Sequence, residues 1–535
     1  MFNLITNNAI TLISSVYFIL KVLLESIFIN VDFDNKLTEN IDISYTFLSI
    51  FFKGNFYFLL FVTASVVLTF AFSESKSNQN QIITSTNLLK ALCAVSFLIS
   101  MGFLIICFYY YLVFLFKLNN NFYINSMFKV RPFNYKSSYD ASINFDFFGM
   151  VILLISYFVG LLSFLALDNK IFSKNMKYFF FLNLFIIIVF FFVTSNNILT
   201  IFLLYEFLLI PSFLLVFFIS PGRKSTQASL YFIIWTQIGS FLVLCAVFYI
   251  ITVIGSTDLF LINSYFFSKI EILILSSLLF LGFGFKVPIW PFHYWLTKTH
   301  VEAPSGFSMY LSGFLVKTAL YGFYKIINIL SSEFSGVMFT TLCIIGVIDS
   351  SLKMWGQTDL KKLVAYGTVQ EMNIIYLTFC WGDSSNIISG ILFCITHAFL
   401  STIMFFLVDC IQRRYASRSV IEISGILQQT PNLGISVLAM CVFYSGLPGT
   451  LKFTSEFYIF SAFVEIAPMS AFLVIFIANC LGLIGFSKLW FNVNYGMSIK
   501  NSKLTKLDLT LKELFIIFLS LLMLVLFCYA PNIFF

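Results

Sequence analysis

Four charged side chains interrupt long apolar runs, and through them this chain could do chemistry. Glu206 is central in residues 196–219, a run otherwise almost wholly apolar, with Pro211 five residues on. Lys286 stands in a glycine- and proline-bearing interruption, Gly282-Phe283-Gly284-Phe285-Lys286-Val287-Pro288. Lys317 is central in 305–330, between Gly313 and Gly322. Glu456 follows a second interruption, Ser445-Gly446-Leu447-Pro448-Gly449. An ionised group taken out of water is costly unless it is paired, and an amine or carboxyl there holds its charge less firmly. Such groups can load and release protons near working pH, and a carboxylate beside an amine biases which of the two carries the proton. A row of them, joined by polar and hydrated gaps, is a proton path. The plainer alternatives are a structural ion pair or a long side chain reaching for an interface.

The three histidines are His293, His300 and His397. A buried histidine commonly completes a hydrogen-bond network, but His397, midway along 389–409, could also relay protons. The charged residues nearest to it in sequence within apolar runs are Glu371 and Asp409. His293 and His300 with Glu302 could suggest a metal site, yet no further ligand cluster supports one, and no metal is expected.

The elements that must hold these groups are membrane helices. Only 10% of the 535 residues are charged, against roughly 25% in a soluble chain. So little charge cannot cover a water-facing surface of this size, whereas a bilayer can be the solvent. A crossing needs about 20 apolar residues, and about fifteen such segments are present. They lie near 9–30, 50–72, 88–116, 146–167, 177–194, 196–219, 228–253, 270–295, 305–330, 336–353, 363–381, 386–410, 432–463, 469–491 and 512–530. No soluble domain fits between them.

Lys and Arg alternate between loops. Positive residues gather in 168–177, 220–226, 296–304, 353–362, 411–425 and 492–511, while the intervening loops from 195 to 468 hold only Lys269. That is the pattern of single crossings with the positive loops on the inner side. The loop 117–145, with Lys117, Lys129, Arg131 and Lys136, departs from it. The pattern also predicts that each over-long segment, 270–295 and 432–463, crosses once as a helix broken at its Gly/Pro interruption. The two lie five spans apart and so would cross in opposite directions, the layout of an inverted repeat.

Other features narrow the function. The ten cysteines are scattered through apolar runs without a C-x-x-C pair, so they read as buried thiols and not as disulfides or iron–sulfur ligands. The net charge of +7 forms no dense basic stripe, which argues against nucleic acid. Phe reaches 72 residues, and Ile, Asn, Lys and Tyr are plentiful. Such usage fits an A/T-rich gene, mitochondrial or bacterial. No secretory or transit signal opens the sequence.

The run Gly284-Phe285-Lys286-Val287-Pro288-Ile289-Trp290-Pro291-Phe292-His293-Tyr294-Trp295-Leu296 resembles a signature of the proton-translocating membrane subunits of NADH:quinone oxidoreductase. It continues as His300-Val301-Glu302-Ala303-Pro304 and Leu315-Val316-Lys317-Thr318-Ala319-Leu320-Tyr321-Gly322, and the former is more like chain 4 than chains 2 or 5. Gln357-Thr358-Asp359-Leu360-Lys361-Lys362-Leu363-Val364-Ala365-Tyr366, Thr396-His397-Ala398 and Ser455-Glu456-Phe457 are similar to later blocks. The resemblance runs from about residue 146 to 490. It implies an all-α, polytopic membrane fold of about 14–15 transmembrane helices, with two inverted five-helix repeats and two discontinuous helices. A region 1–145 would precede an antiporter-like core, 146–490, and a closing loop and helix, 491–535.

The resemblance also implies roles. Glu206 and Lys286 would be a coupled pair, Lys317 the central relay, His397 the onward carrier and Glu456 the terminal acid. The family usually has a histidine where Glu371 stands, so Glu371 is counted in the path as its replacement. No cofactor is expected in this chain; NADH, FMN, iron–sulfur clusters and ubiquinone would belong to partner subunits. Expected partners are other membrane-arm subunits, above all antiporter-like chains 2 and 5, with membrane lipids, in a mitochondrial inner membrane. A cation/proton antiporter subunit and a non-pumping structural subunit are the alternatives.

Overall fold

The computed structural model describes residues 146–166, 176–219, 222–328, 337–380, 384–466, 468–496 and 507–528. The expected spans near 9–30, 50–72 and 88–116, and the loop 117–145, lie outside these residues. Among the described residues the regular structure is helical, with two isolated bridges, Asn197–Asp258 and Asp359–Ser419.

Helices α1 (Phe147–Leu165), α2 (Met176–Thr194), α3 (Ile198–Phe207), α4 (Leu209–Ile219) and α5 (Arg223–Ile254) come first. Then follow α6 (Lys269–Lys286), α7 (Tyr294–Glu302), α8 (Ser305–Tyr310) and α9 (Val316–Ile327). Next are α10 (Val337–Trp355), α11 (Leu360–Phe379) and α12 (Ser384–Tyr415). The last are α13 (Pro431–Tyr444), α14 (Leu451–Ile466), α15 (Pro468–Phe476), α16 (Leu483–Asn494) and α17 (Leu511–Cys528).

Local chemistry sets many boundaries. Asn197 and Asp359 cap α3 and α11 by accepting from Leu199 and Lys361 backbone N–H groups. Ser268 and Glu271 form a reciprocal capping box on α6. Gly255, at φ +73°, ends α5 in the left-handed conformation that glycine adopts without strain. Pro211 has no N–H for the carbonyl four residues back, and the run 196–219 divides at Leu208 into α3 and α4.

Both over-long segments are broken helices, as expected. The second breaks at residues 445–450, where Gly446 and Gly449 take φ of +66° and +94°. The first breaks later than its glycines suggest. Gly282 and Gly284 stay helical, and the interruption falls at 287–293. The glycines have another task. A Cβ on Gly239 of α5 would lie 2.6 Å from the Gly282 carbonyl oxygen of α6, so the two helices touch backbone to backbone. Across the break, the Trp295 indole donates to the Phe285 carbonyl at 2.8 Å.

Two sets of bonds tie the loop ends. At one end Lys325 donates to the Val193 and Ser195 carbonyls, and Asn196 bonds Asp258. At the other, Lys361 donates to the Ala303 carbonyl, Arg418 to that of Val301 and Arg413 to that of Ala166. Arg414 there pairs with Glu513 at 2.6 Å. The described ends of several positive loops, near 166, 301–303, 361, 413–418 and 513, therefore meet at one end of the bundle, as charge alternation predicts. The segment holding α6 and α7 joins the two ends. Glu271 meets Tyr249 near the end of α5, and Ala303 meets Lys361.

Five described helices are long and apolar enough to cross a membrane. They differ in surroundings. The apolar window of α12 is 100% buried, while that of α5 is 33% buried. A helix apolar on all sides and wholly enclosed is a core element. The exposed Phe241 and Phe248 of α5 are suited to lipid or to a neighbouring apolar surface.

The α5–α6 contact yields a prediction. Gly282→Leu should cost about 1–3 kcal/mol through overpacking. The check is the thermal denaturation midpoint of the solubilised complex, and an unchanged midpoint would contradict the close crossing.

Candidate functional site

Three helices bring their ionisable side chains together beside the axis of the bundle. Glu371 of α11 places one carboxylate oxygen 2.8 Å from Nδ1 of His397 on α12. Its other oxygen accepts from Nζ of Lys452 on α14, also at 2.8 Å. Lys452 lies 3.7 Å from Glu456, one helical turn further on. Glu371, His397 and Lys452 are all at most 5% exposed. A carboxylate so enclosed requires compensation, and two partners on different helices supply it.

The broken helix shapes this cluster. Thr450 ends the break and α14 starts at Leu451, so Lys452 lies in its first turn. The Lys452 ammonium sits 3.8 Å above the ring of Tyr444, the last residue before the break. Gly446 leaves room for Glu456, whose carboxylate would lie 3.2 Å from a Cβ there. Beside the cluster is a cavity of about the size of one water molecule, lined by Glu371, His397, Thr368, Ser401, Tyr444 and others. An ionised carboxylate can only accept, so His397 donates through Nδ1–H. Its Nε2 is buried and has no hydrogen-bond partner among the described residues.

Lys317 is built differently. The helix around it is interrupted by a π-helical turn, Leu311–Leu315, immediately before α9. Its ammonium folds back to donate to the Ser312 carbonyl. Every residue of α9 is buried. Gly313 lets the turn press against its neighbours, since a Cβ there would lie 2.7 Å from Thr402 of α12 and 2.9 Å from Val159 of α1. Lys317 is an electrostatic neighbour of Glu371 and of His397.

Lys286 ends α6 at the first break and is 1% exposed. Its ammonium lies 3.9 Å from the centre of the Tyr205 ring. Glu206, the next residue to Tyr205, accepts from Gln237 of α5 at 3.0 Å. Glu206 is half-buried, and it makes no ion pair with Lys286 among the described residues. The two are electrostatic neighbours across a gap.

Of the six sequence candidates, the structure therefore brings Glu371, His397 and Glu456 into one cluster and sets Lys317 beside it. Glu206 and Lys286 form a second site. Asp409, the other charge near His397 in sequence, is turned to the positive end and pairs with Arg413. His293 and His300 go separate ways. His293 meets Asp349 at 3.4 Å and Lys353 at 3.2 Å, while His300 stacks on Phe405 at 4.6 Å. No group of three His, Cys, Asp or Glu that could hold a metal occurs among the described residues.

Sequence reasoning missed Lys452. The signal was present: Lys452 and Glu456 stand four apart in an apolar segment, the spacing of neighbours on one helix face. Lys325 and Lys361, also buried, were missed because they lie near helix ends, where a lysine ordinarily reaches water.

An all-α membrane bundle with ionisable side chains in its core, grouped at broken helices, defines an antiporter-like membrane protein. Residues 195–485 match the family described as NADH:quinone oxidoreductase/Mrp antiporter, transmembrane. The chain belongs to that family, and it is an antiporter-like membrane subunit of the complex I type. It is 40% identical over 468 residues to NADH-ubiquinone oxidoreductase chain 4 of Paramecium tetraurelia, covering 87% of this chain and 99% of that one. This match is longer than residues 146–535 and so reaches into the first 145. NADH-quinone oxidoreductase subunit M of Rickettsia bellii is 29% identical, over 63% of this chain and 68% of its own.

Solved structures agree on the fold. A chain of respiratory complex I from Thermus thermophilus matches with TM-score 0.71 at 19% identity, over 88% of this chain and 96% of that one. A chain of a Dietzia Mrp complex matches with TM-score 0.64 at 16% identity, over 83% and 82%.

The cluster predicts a stability effect. Glu371→Leu leaves Lys452 with only the more distant Glu456, and breaking such a buried pair should cost about 3 kcal/mol. Thermal denaturation of the solubilised complex measures it. Equal stability would mean that Lys452 finds another partner.

Proposed function

We propose that this chain is a proton-translocating, chain 4-type subunit of respiratory complex I in a mitochondrial inner membrane. Its path runs through Glu206, Lys286, Lys317, Glu371, His397 and Glu456. The observation that carries this reading is the buried meeting of Glu371 and His397 at 2.8 Å, with Lys317 as an electrostatic neighbour. A proton on Lys317 and one on His397 repel each other across the core, so loading one favours discharge of the other. His397 can take a proton at Nε2 while it gives one to Glu371 through Nδ1. Glu456, at the rim of the second break, receives it next.

In this reading NADH oxidation and ubiquinone reduction occur in partner subunits holding FMN and iron–sulfur clusters. Chains 2 and 5 would be the neighbours that share the membrane arm. Redox energy would reach this chain as conformational and electrostatic change. Moving a proton against the membrane potential costs about 2.3 kcal/mol per 100 mV.

Lys317→Ala tests the path. In membranes carrying the assembled complex, NADH-driven proton pumping should be lost. Normal pumping would sink the role and favour a structural subunit, while sodium-dependent transport would favour a cation/proton antiporter.

A further inference from the structure

Lys452 touches two carboxylates at unequal distance, Glu371 at 2.8 Å and Glu456 at 3.7 Å. The nearer is on another helix and the farther on its own. Its ammonium rests over the Tyr444 ring, which attracts a cation without fixing its direction. Its backbone lies in the first turn after a break that contains two left-handed glycines. A lysine stem is long and its ammonium is a point charge, so it can pass between the Glu371 carboxylate on α11 and the Glu456 carboxylate one turn along its own helix.

We propose that Lys452 is a two-position cation that gates the His397–Glu371 step. This rests on the proton-path reading above and adds a residue to it.

With the ammonium on Glu371, the carboxylate charge is balanced and the proton stays on His397 Nδ1. When the ammonium moves to Glu456, Glu371 is left as a buried carboxylate without its countercharge, and taking up a proton relieves that cost. The donor is in place, since His397 Nδ1 lies 2.8 Å from Glu371 Oε2. The N–H bond at Nδ1 breaks and an O–H bond forms at Oε2, while His397 regains a proton at Nε2, the nitrogen without a partner. When the ammonium returns to Oε1, neutral Glu371 releases its proton into the water-sized cavity beside it, on the way to Glu456. One proton enters at His397 Nε2 and one leaves from Glu371, and the cycle closes when the imidazole ring turns to present its remaining N–H to Glu371 again. The ammonium itself never deprotonates.

Lys452→Arg discriminates this from a fixed countercharge. A guanidinium keeps the charge but grips a carboxylate with two parallel bonds, so it leaves more slowly. In membranes with the assembled complex, coupled proton pumping should fall about tenfold, which is the effect of one stronger bond at the gate. Pumping equal to that of the unsubstituted complex would overturn the proposal. Lys317→Ala run in parallel separates the two ideas: normal pumping there defeats the path itself, whereas lost pumping there with normal Lys452→Arg defeats only the gate. Should Lys452→Arg fail to assemble, difference infrared spectra of the unsubstituted complex in turnover decide. A neutral carboxyl band that is missing in Glu371→Gln is expected, and its absence in the unsubstituted complex would overturn the gate.

Discussion

The balance of charge around Glu371 is the constraint on which the rest of the core depends. A carboxylate 3% exposed cannot be left alone in apolar surroundings. Its two oxygens are taken by His397 and Lys452, each at 2.8 Å and each from a different helix. Satisfying all three fixes the rotation of α11, α12 and α14 about their own axes. One slip of a helical residue would turn a charge into hydrocarbon, so the arrangement selects a single packing. The same pairing makes the core chemically active, because it is a chain of proton donors and acceptors as well as a clamp.

Interruptions of the helices are the means by which such charges are held. Four of these charges lie at irregularities: Glu206 before the division at Leu208, Lys286 at the end of α6, Lys317 after a π-helical turn and Lys452 in the first turn after a break, whereas Glu371 and His397 lie within the continuous helices α11 and α12. An unbroken helix uses nearly all of its carbonyls internally. A π turn or a break releases some, and Lys317 takes one of them, from Ser312. In a lipid interior, irregular backbone is tolerated where protein surrounds it. The wholly buried surroundings of Lys317 meet that condition.

The bundle is also asymmetric from centre to edge. α12 carries His397 and is enclosed, while α5 supports Glu206 through Gln237 and turns Phe241 and Phe248 outward. Glu206 is therefore only half-buried, unlike Lys317. A charge at that edge would feel a neighbouring subunit or lipid more than Lys317 would, since screening and polarity vary most there.

The sequence by itself determined much that is local. Apolar length marked the spans, Gly446, Pro448 and Gly449 marked the second break, and scattered Lys and Arg marked the loop ends that converge in the fold. Single charges in apolar runs named Glu206, Lys286, Lys317 and Glu456 as candidates. Local chemistry misled at one place, where Gly282 and Gly284 suggested a break and instead let α5 and α6 approach. Only the tertiary structure decided who pairs with whom: Glu371 with Lys452 81 positions away, His397 with Glu371 and not Asp409, His293 with Asp349 and not His300. The reason is physical. Helix breaking depends on bonds within a few residues, but the neutralisation of a buried charge acts through space, and helix packing alone sets which ammonium a carboxylate meets.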